Sequence, residues 1–157
     1  MQRRSFVMAG VSWPALVGSA FAHHGWSSFD QDTPLFLAGK VAKAAWRNPH
    51  VELELDLPEG LALPPDLAKR ALPRQSAEVD GPGLLAKARL PRRRDRRWHI
   101  ELAPLTRMQA WGIPGIPEGS EVQVVGFTFT GEQGEAVLRA EYLFMDGKAY
   151  GLRSSPA

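Results

Sequence analysis
Four histidines carry most of the chemistry open to this sequence: His23, His24, His50 and His99. The first two follow Ala20-Phe21-Ala22, where the small residues Ala20 and Ala22 form an A-x-A export cleavage site. Cutting after Ala22 makes His23 the first residue of the mature chain, so a single residue offers an α-amine and an imidazole together. An amine and a ring nitrogen close a small chelate around a late transition metal, and a further imidazole can complete the set. Copper fits such a nitrogen set best, because it is the strongest divalent binder of its series and accepts tetragonal geometry. Zinc is the alternative, with Asp30, Glu52 or Glu101 supplying a carboxylate as fourth ligand.

Each histidine also has a plainer reading. His23 and His24 suit a tolerated polar terminus. His50, after Pro49, could cap a turn through its ring, and His99 could pair across strands with Glu52 or Glu54. Trp46, Trp98 and Trp111 read as core, since they fall among apolar strand or helix positions. No G-x-S-x-G elbow, H-E-x-x-H pair, phosphate loop or dinucleotide fingerprint occurs, so no enzyme constellation stands out.

The segment before the junction explains why a cleavage site belongs there. Residues 1–22 begin with Arg3 and Arg4 and continue as an apolar run too short to span a bilayer, which reads as a signal peptide. The paired arginines followed by Ser5, Phe6 and Val7 resemble a twin-arginine export signal, and the expected residence is periplasmic or secreted. Beyond Ala22 no apolar stretch is long enough to form a transmembrane segment. Removing 22 of the 157 residues leaves 135, enough for one domain with a real core. It also lowers the Lys plus Arg count from 19 to 17, equal to the acids, so the mature chain is neutral. With no cysteine, disulfides, thiolate metal sites and covalent c-type haem attachment are excluded.

The elements that must position the histidines are strands. After a polar lead-in from His23 to Pro34, Leu35 to Trp46 reads as β, and His50 to Leu57 alternates strictly. Its outward set, Glu52, Glu54 and Asp56, reads as a solvated strand face. Trp98 to Leu102 resumes the alternation, and Pro104 to Trp111 forms a short amphipathic helix ended by Gly112. Strands near Val122 to Phe127 and Val137 to Met145 follow, then an edge segment from Lys148 to Leu152. Along Val137 to Met145, Leu138, Ala140, Tyr142 and Phe144 alternate with Arg139, Glu141, Leu143 and Met145. Three strands, one short helix and two strands match the order of a mainly β, five-stranded OB-like barrel with the helix between strands three and four.

Between strands two and three lies a long insertion, about residues 58–97, rich in proline and glycine. It reads as an excursion without regular structure, apart from a short helix near Asp66 to Leu72. Its end concentrates Arg89, Arg92, Arg93, Arg94, Arg96 and Arg97. In an exported protein such a patch points to an anionic surface or an acidic protein partner rather than nucleic acid; the competing reading is a solvated charged loop.

His23-His24, Gly39-x-Val41, Trp46-x-Asn48-Pro49-His50, Trp98 with Glu101, Glu118-Gly119-Ser120-x-Val122 and Asp146-Gly147-Lys148 together carry a resemblance. The chain resembles an uncharacterised family of small exported bacterial proteins over nearly the whole mature sequence, except the insertion. The resemblance implies export and a small β-rich domain, and it implies no activity. His23, His24 and His50 match its pattern, whereas His99 stands outside it. Simple hairpin topology instead places His99 nearer the lead-in, although residues 23–33 could extend by about 35 Å at about 3.3 Å each and reach His50. The pattern favours His50 as partner of His23. The expected function is an exported metal-binding or accessory protein; the alternatives are a partner-binding barrel without metal and a non-covalent haem carrier.

Overall fold
The structure, a computed structural model, describes residues 25–157. The expected signal peptide and the His23-His24 pair lie outside them. Six strands form: β1 (Leu35–Ala45), β2 (Glu52–Asp56), β3 (Arg97–Glu101), β4 (Glu121–Phe127), β5 (Val137–Met145) and β6 (Lys148–Gly151). Antiparallel pairing runs in the order β3-β2-β1-β4-β5-β6, and a parallel β3–β5 pairing closes the first five strands into a barrel. This is the OB-like order expected from the sequence, with β6 as an added edge strand.

The barrel interior follows from alternation. Val51, Leu53 and Leu55 face inward opposite Leu102, Ile100 and Trp98, all buried. The expected helix is present as α2 (Leu105–Ala110), between β3 and β4, and seats Met108 in the same core. Gly112 ends that helical turn with φ +70°, a conformation that costs glycine little. At Gly39 the requirement is space: a Cβ there would strike the Asp56 carbonyl oxygen of the neighbouring strand.

Alternation fails in β5. Val125 pairs with Tyr142 and Gly126 with Ala140, so Glu141 is the extra residue of a β-bulge. Past the bulge the inward set shifts: Leu138, Ala140 and Leu143 join the barrel core, while Tyr142 and Phe144 belong to a second cluster outside it. The strict alternation expected through Phe144 is therefore corrected after Ala140.

That second cluster also corrects the reading of the insertion. It packs Leu67, Leu85 and Ala88 against Phe36, Val125, Tyr142 and Phe144 on the outer face of β1, β4 and β5. Each buried leucine contributes about 1.5 to 3 kcal/mol. The expected helix near Asp66 to Leu72 is a single 3-10 turn, Leu67–Lys69. The main helix of the insertion is α1 (Gly81–Lys87), between β2 and β3, where glycine and proline suggest only a turn. Its start is nevertheless well formed, because the Asp80 side chain accepts from the Gly83 amide at 2.9 Å and Pro82 occupies the first turn.

Most of the arginine patch is consumed within the fold. Arg89 pairs with Glu132 at 2.7 Å, Arg96 with Glu59 at 2.6 Å and Arg97 with Asp56 at 2.7 Å. Arg93 Nη1 donates to the carbonyls of Glu132, Gly134 and Glu135, each at 3.1 Å, tying the insertion to the turn before β5. Among the described residues, no helix is long and apolar enough to cross a membrane.

Candidate functional site
The outer face of β2, β3 and β5 gathers the charged residues that alternate with the core. Register sets Glu52 opposite Glu101, Glu54 opposite His99, and Glu101 opposite Arg139. Glu52 and Glu101 are both buried, so the face expected to be solvated is covered at this end. The physical reason is pairing: Arg139 Nη1 donates to Glu101 Oε2 at 3.1 Å, and Glu52 lies 3.6 Å from Arg47 and 3.9 Å from His99 Nε2. His99 thus occupies the cross-strand position anticipated for a charge pair.

His50 precedes β2 on the same face. Its Nε2 lies 3.1 Å from Arg139 Nη2. Because the register places His99 opposite Glu54, four residues beyond His50, the two histidines are offset by about 13 Å along the strands. Among the described residues no group of three His, Asp or Glu side chains is close enough to hold a metal ion. A centre of the kind expected therefore needs ligands from His23 and His24, which lie outside those residues.

The lead-in ends at this face. A short 3-10 turn, Trp26–Ser28, carries the Trp26 ring to two guanidiniums, with Arg153 at 3.7 Å and Arg139 at 4.9 Å from the ring centroid. Such cation–π contacts hold an aromatic ring by its negative face. Phe29 is buried, stacks on Phe129 at 5.2 Å, and the Asp30 amide donates to the Thr128 carbonyl at 2.9 Å. The chain is thus fixed from Trp26 to Asp30, a segment that begins one residue past the histidine pair in sequence and lies within one arginine of His50.

The bulge residue Glu141 is wholly buried and accepts at 2.7 and 2.9 Å from Arg153, the arginine nearest the Trp26 ring. Burial pushes the Glu141 carboxyl above its ordinary value, and the Arg153 bond only partly offsets that. Arg107, which donates to the Leu152 carbonyl at 2.9 Å, is pulled below its ordinary value by burial and by the nearby charge of Arg139.

Sequence reasoning identified His50 and His99 and placed both on this face. It missed Trp26, Arg139, Glu141 and Arg153 as site residues. The signal for Arg139 and Glu141 was present: two ionisable residues interrupt an otherwise apolar Val137 to Met145 run. For Arg153 nothing local distinguishes it from a tail charge.

A family of unknown function, DUF6152, matches residues 13–62. That stretch holds the His23-His24 junction, the Trp26 lead-in, β1, His50 and β2. The expected resemblance to an uncharacterised domain is met over it. No curated protein matches the chain. The chain is similar, over residues 13–62, to a family whose function is itself open.

Proposed function
We propose that this is an exported metal-binding or accessory protein that takes one Cu(II) through the amine and ring of His23 and the ring of His50. The observation that supports the reading is the anchoring of Trp26 against Arg139, the residue that contacts His50. Only His24 and Gly25 separate His23 from Trp26, so the chain can cover at most about 10 Å from that anchor. His24 or His99 could substitute for His50, and zinc could add Glu52 or Glu101 as an oxygen ligand. Because the His23 amine exists only after cleavage at Ala22, the site would fill outside the cytoplasm.

Calorimetry and electron paramagnetic resonance on three chains provide the test: one starting at His23, one with an additional leading residue, and His50→Ala. The His23 chain should bind one Cu(II), and both alterations should weaken it. Protons compete for nitrogens with reference values of about 6.5 for imidazole and about 7.7 to 8.0 for the amine, so affinity should fall as pH falls through that range. Unchanged affinity and spectrum in the extended chain would remove the amine from the ligand set.

A partner-binding barrel is the second reading, favoured by a groove of about 1020 Å³ between the insertion and the outer face of β1, β4 and β5. Gln123, Phe144, Lys40 and Lys148 line it together with Arg70, which lies over the Phe144 ring at 4.9 Å and donates to Gln123 Oε1 at 2.6 Å. If no chain in the copper test binds copper or zinc, this reading replaces the first.

A further inference from the structure
The lead-in is held in two different ways. Phe29 is buried and the Asp30 amide is bonded to the Thr128 carbonyl, so that part belongs to the core. The turn Trp26–Ser28 contains no buried residue, and its main hold is the tail. Arg153 lies 3.7 Å from the Trp26 ring centroid and its Nη2 donates to Gln31 Oε1 at 3.1 Å, whereas Arg139 stands at 4.9 Å and the Phe127 ring meets Trp26 edge-on at 6.3 Å. Arg153 is in turn held by Glu141, whose Oε2 accepts from Nη2 at 2.7 Å and from Nε at 2.9 Å. The other carboxyl oxygen, Oε1, is buried and accepts from no described group.

Among the described residues, the charges facing Glu141 are cations: Arg153 from the tail, Arg139 from β5 and Arg107 from α2. Arg139 is engaged by Glu101 at 3.1 Å and Arg107 by the Leu152 carbonyl at 2.9 Å. The Tyr142 hydroxyl, next in sequence, meets Gln75, and burial pushes its ionisation further up. From the lead-in, the Trp26 ring and the Gln31 amide that reach Arg153 are uncharged. A proton on Glu141 therefore leaves three guanidiniums with only Glu101 to balance them. Like charges then repel, and Arg153 is the one able to move into water, with a side chain 26 % exposed against 6 % for Arg139.

We propose that Glu141, Arg153 and Trp26 form a proton-operated latch: ionised Glu141 lets the tail arginine clamp residues 26–28 to the barrel, and protonated Glu141 releases Arg153 so that those residues lift about the Phe29 anchor. The latch uses none of the metal ligands proposed above. Burial pushes the Glu141 carboxyl above its ordinary 4.5, and losing Arg153 raises it further. The lifted form thus holds the proton more tightly, so the clamp is complete above the lifted value and is lost as pH falls through the clamped one. A carboxyl raised by folding favours the folded chain as pH falls, which separates this opening from unfolding.

Fluorine NMR on the full chain labelled with fluorotryptophan tests the latch. The Trp26 resonance, assigned through Trp26→Phe, reports the clamp, and Trp98, wholly buried in the barrel core, reports the fold. Between about pH 7 and about pH 5 the ratio of clamped to lifted Trp26 should fall about ten- to a hundredfold, the strength of one charged hydrogen bond, while Trp98 stays in place. Glu141→Gln should show lifted Trp26 at neutral pH with no further pH dependence. Arg153→Ala, which cuts the clamp from its exposed side, should do the same and serves if Glu141→Gln fails to fold. His50→Ala should keep the transition, although imidazole titrates in the same range with a reference value of about 6.5. A Trp26 resonance that stays fixed, one that moves together with Trp98, or a transition that survives Glu141→Gln or Arg153→Ala or vanishes in His50→Ala overturns the latch.

Discussion
Glu132 shows how one carboxylate can hold an insertion in place. It adopts φ +58° and is almost completely buried. Its Oε1 accepts from Arg89 at 2.7 Å and its Oε2 from the Arg92 and Arg93 amides at 2.8 and 3.1 Å. Burial alone would push its carboxyl up, but the Arg89 bond and the two amides together hold it below the ordinary value of 4.5. A lowered folded value means that its contribution is complete above the unfolded value near 4.5 and is lost as pH falls through the folded one. Glu132→Gln should therefore cost about 1 to 3 kcal/mol at neutral pH. In urea titrations that deficit should shrink toward zero below the acid transition. A deficit that persists unchanged at low pH would assign the loss to shape rather than charge.

At the level of elements, the barrel strands, α2 and the β6 edge were legible because each carries its own period and punctuation. Leu53 and Ile100 alternate with charge, and Gly112 ends the helix. The cover over the outer face was not legible, because its evidence lay on the strands and not in the insertion. Leu35-Phe36-Leu37 and Val124-Val125 are contiguous apolar runs, the pattern of strands buried on both faces. They imply a second layer, and the only long segment free to supply it is the proline-rich insertion. The polar half of the site was legible in kind, through His50, but not in its cation, since Arg139 reaches His50 only after β3 and β5 pair in parallel. Leu85, buried within the insertion, tests the second layer. Leu85→Ala should cost about 2 to 5 kcal/mol by denaturant unfolding, the range for a buried leucine, and a cost below about 0.5 kcal/mol would mean that the insertion is only draped on the barrel.

Across the whole molecule, the two ends of the described chain are held by the same kinds of contact as its middle. The tail pairs with the insertion through the Ser76 amide to the Ser155 carbonyl at 2.9 Å and the Ala77 amide to Ser154 Oγ at 2.8 Å. Arg153 continues from there to Trp26 and Gln31. The insertion, the C-terminal tail and the lead-in are thus joined in sequence around one side of the barrel.

Fixing Trp26 makes the residues before it a leash, and a leash sets a local concentration. With two residues between anchor and His23, the proposed copper ligands of His23 would meet His50 as an intramolecular event, at an effective concentration in the millimolar range or above. Length then becomes an affinity control separate from ligand identity. Inserting flexible Gly-Ser pairs between His24 and Gly25 should weaken Cu(II) gradually, falling roughly as the −3/2 power of leash length, with the spectrum unchanged. An abrupt loss at the first inserted pair would mean that the histidines are held in one rigid pose, and no loss at any length would mean that His50 is not the far end of the leash.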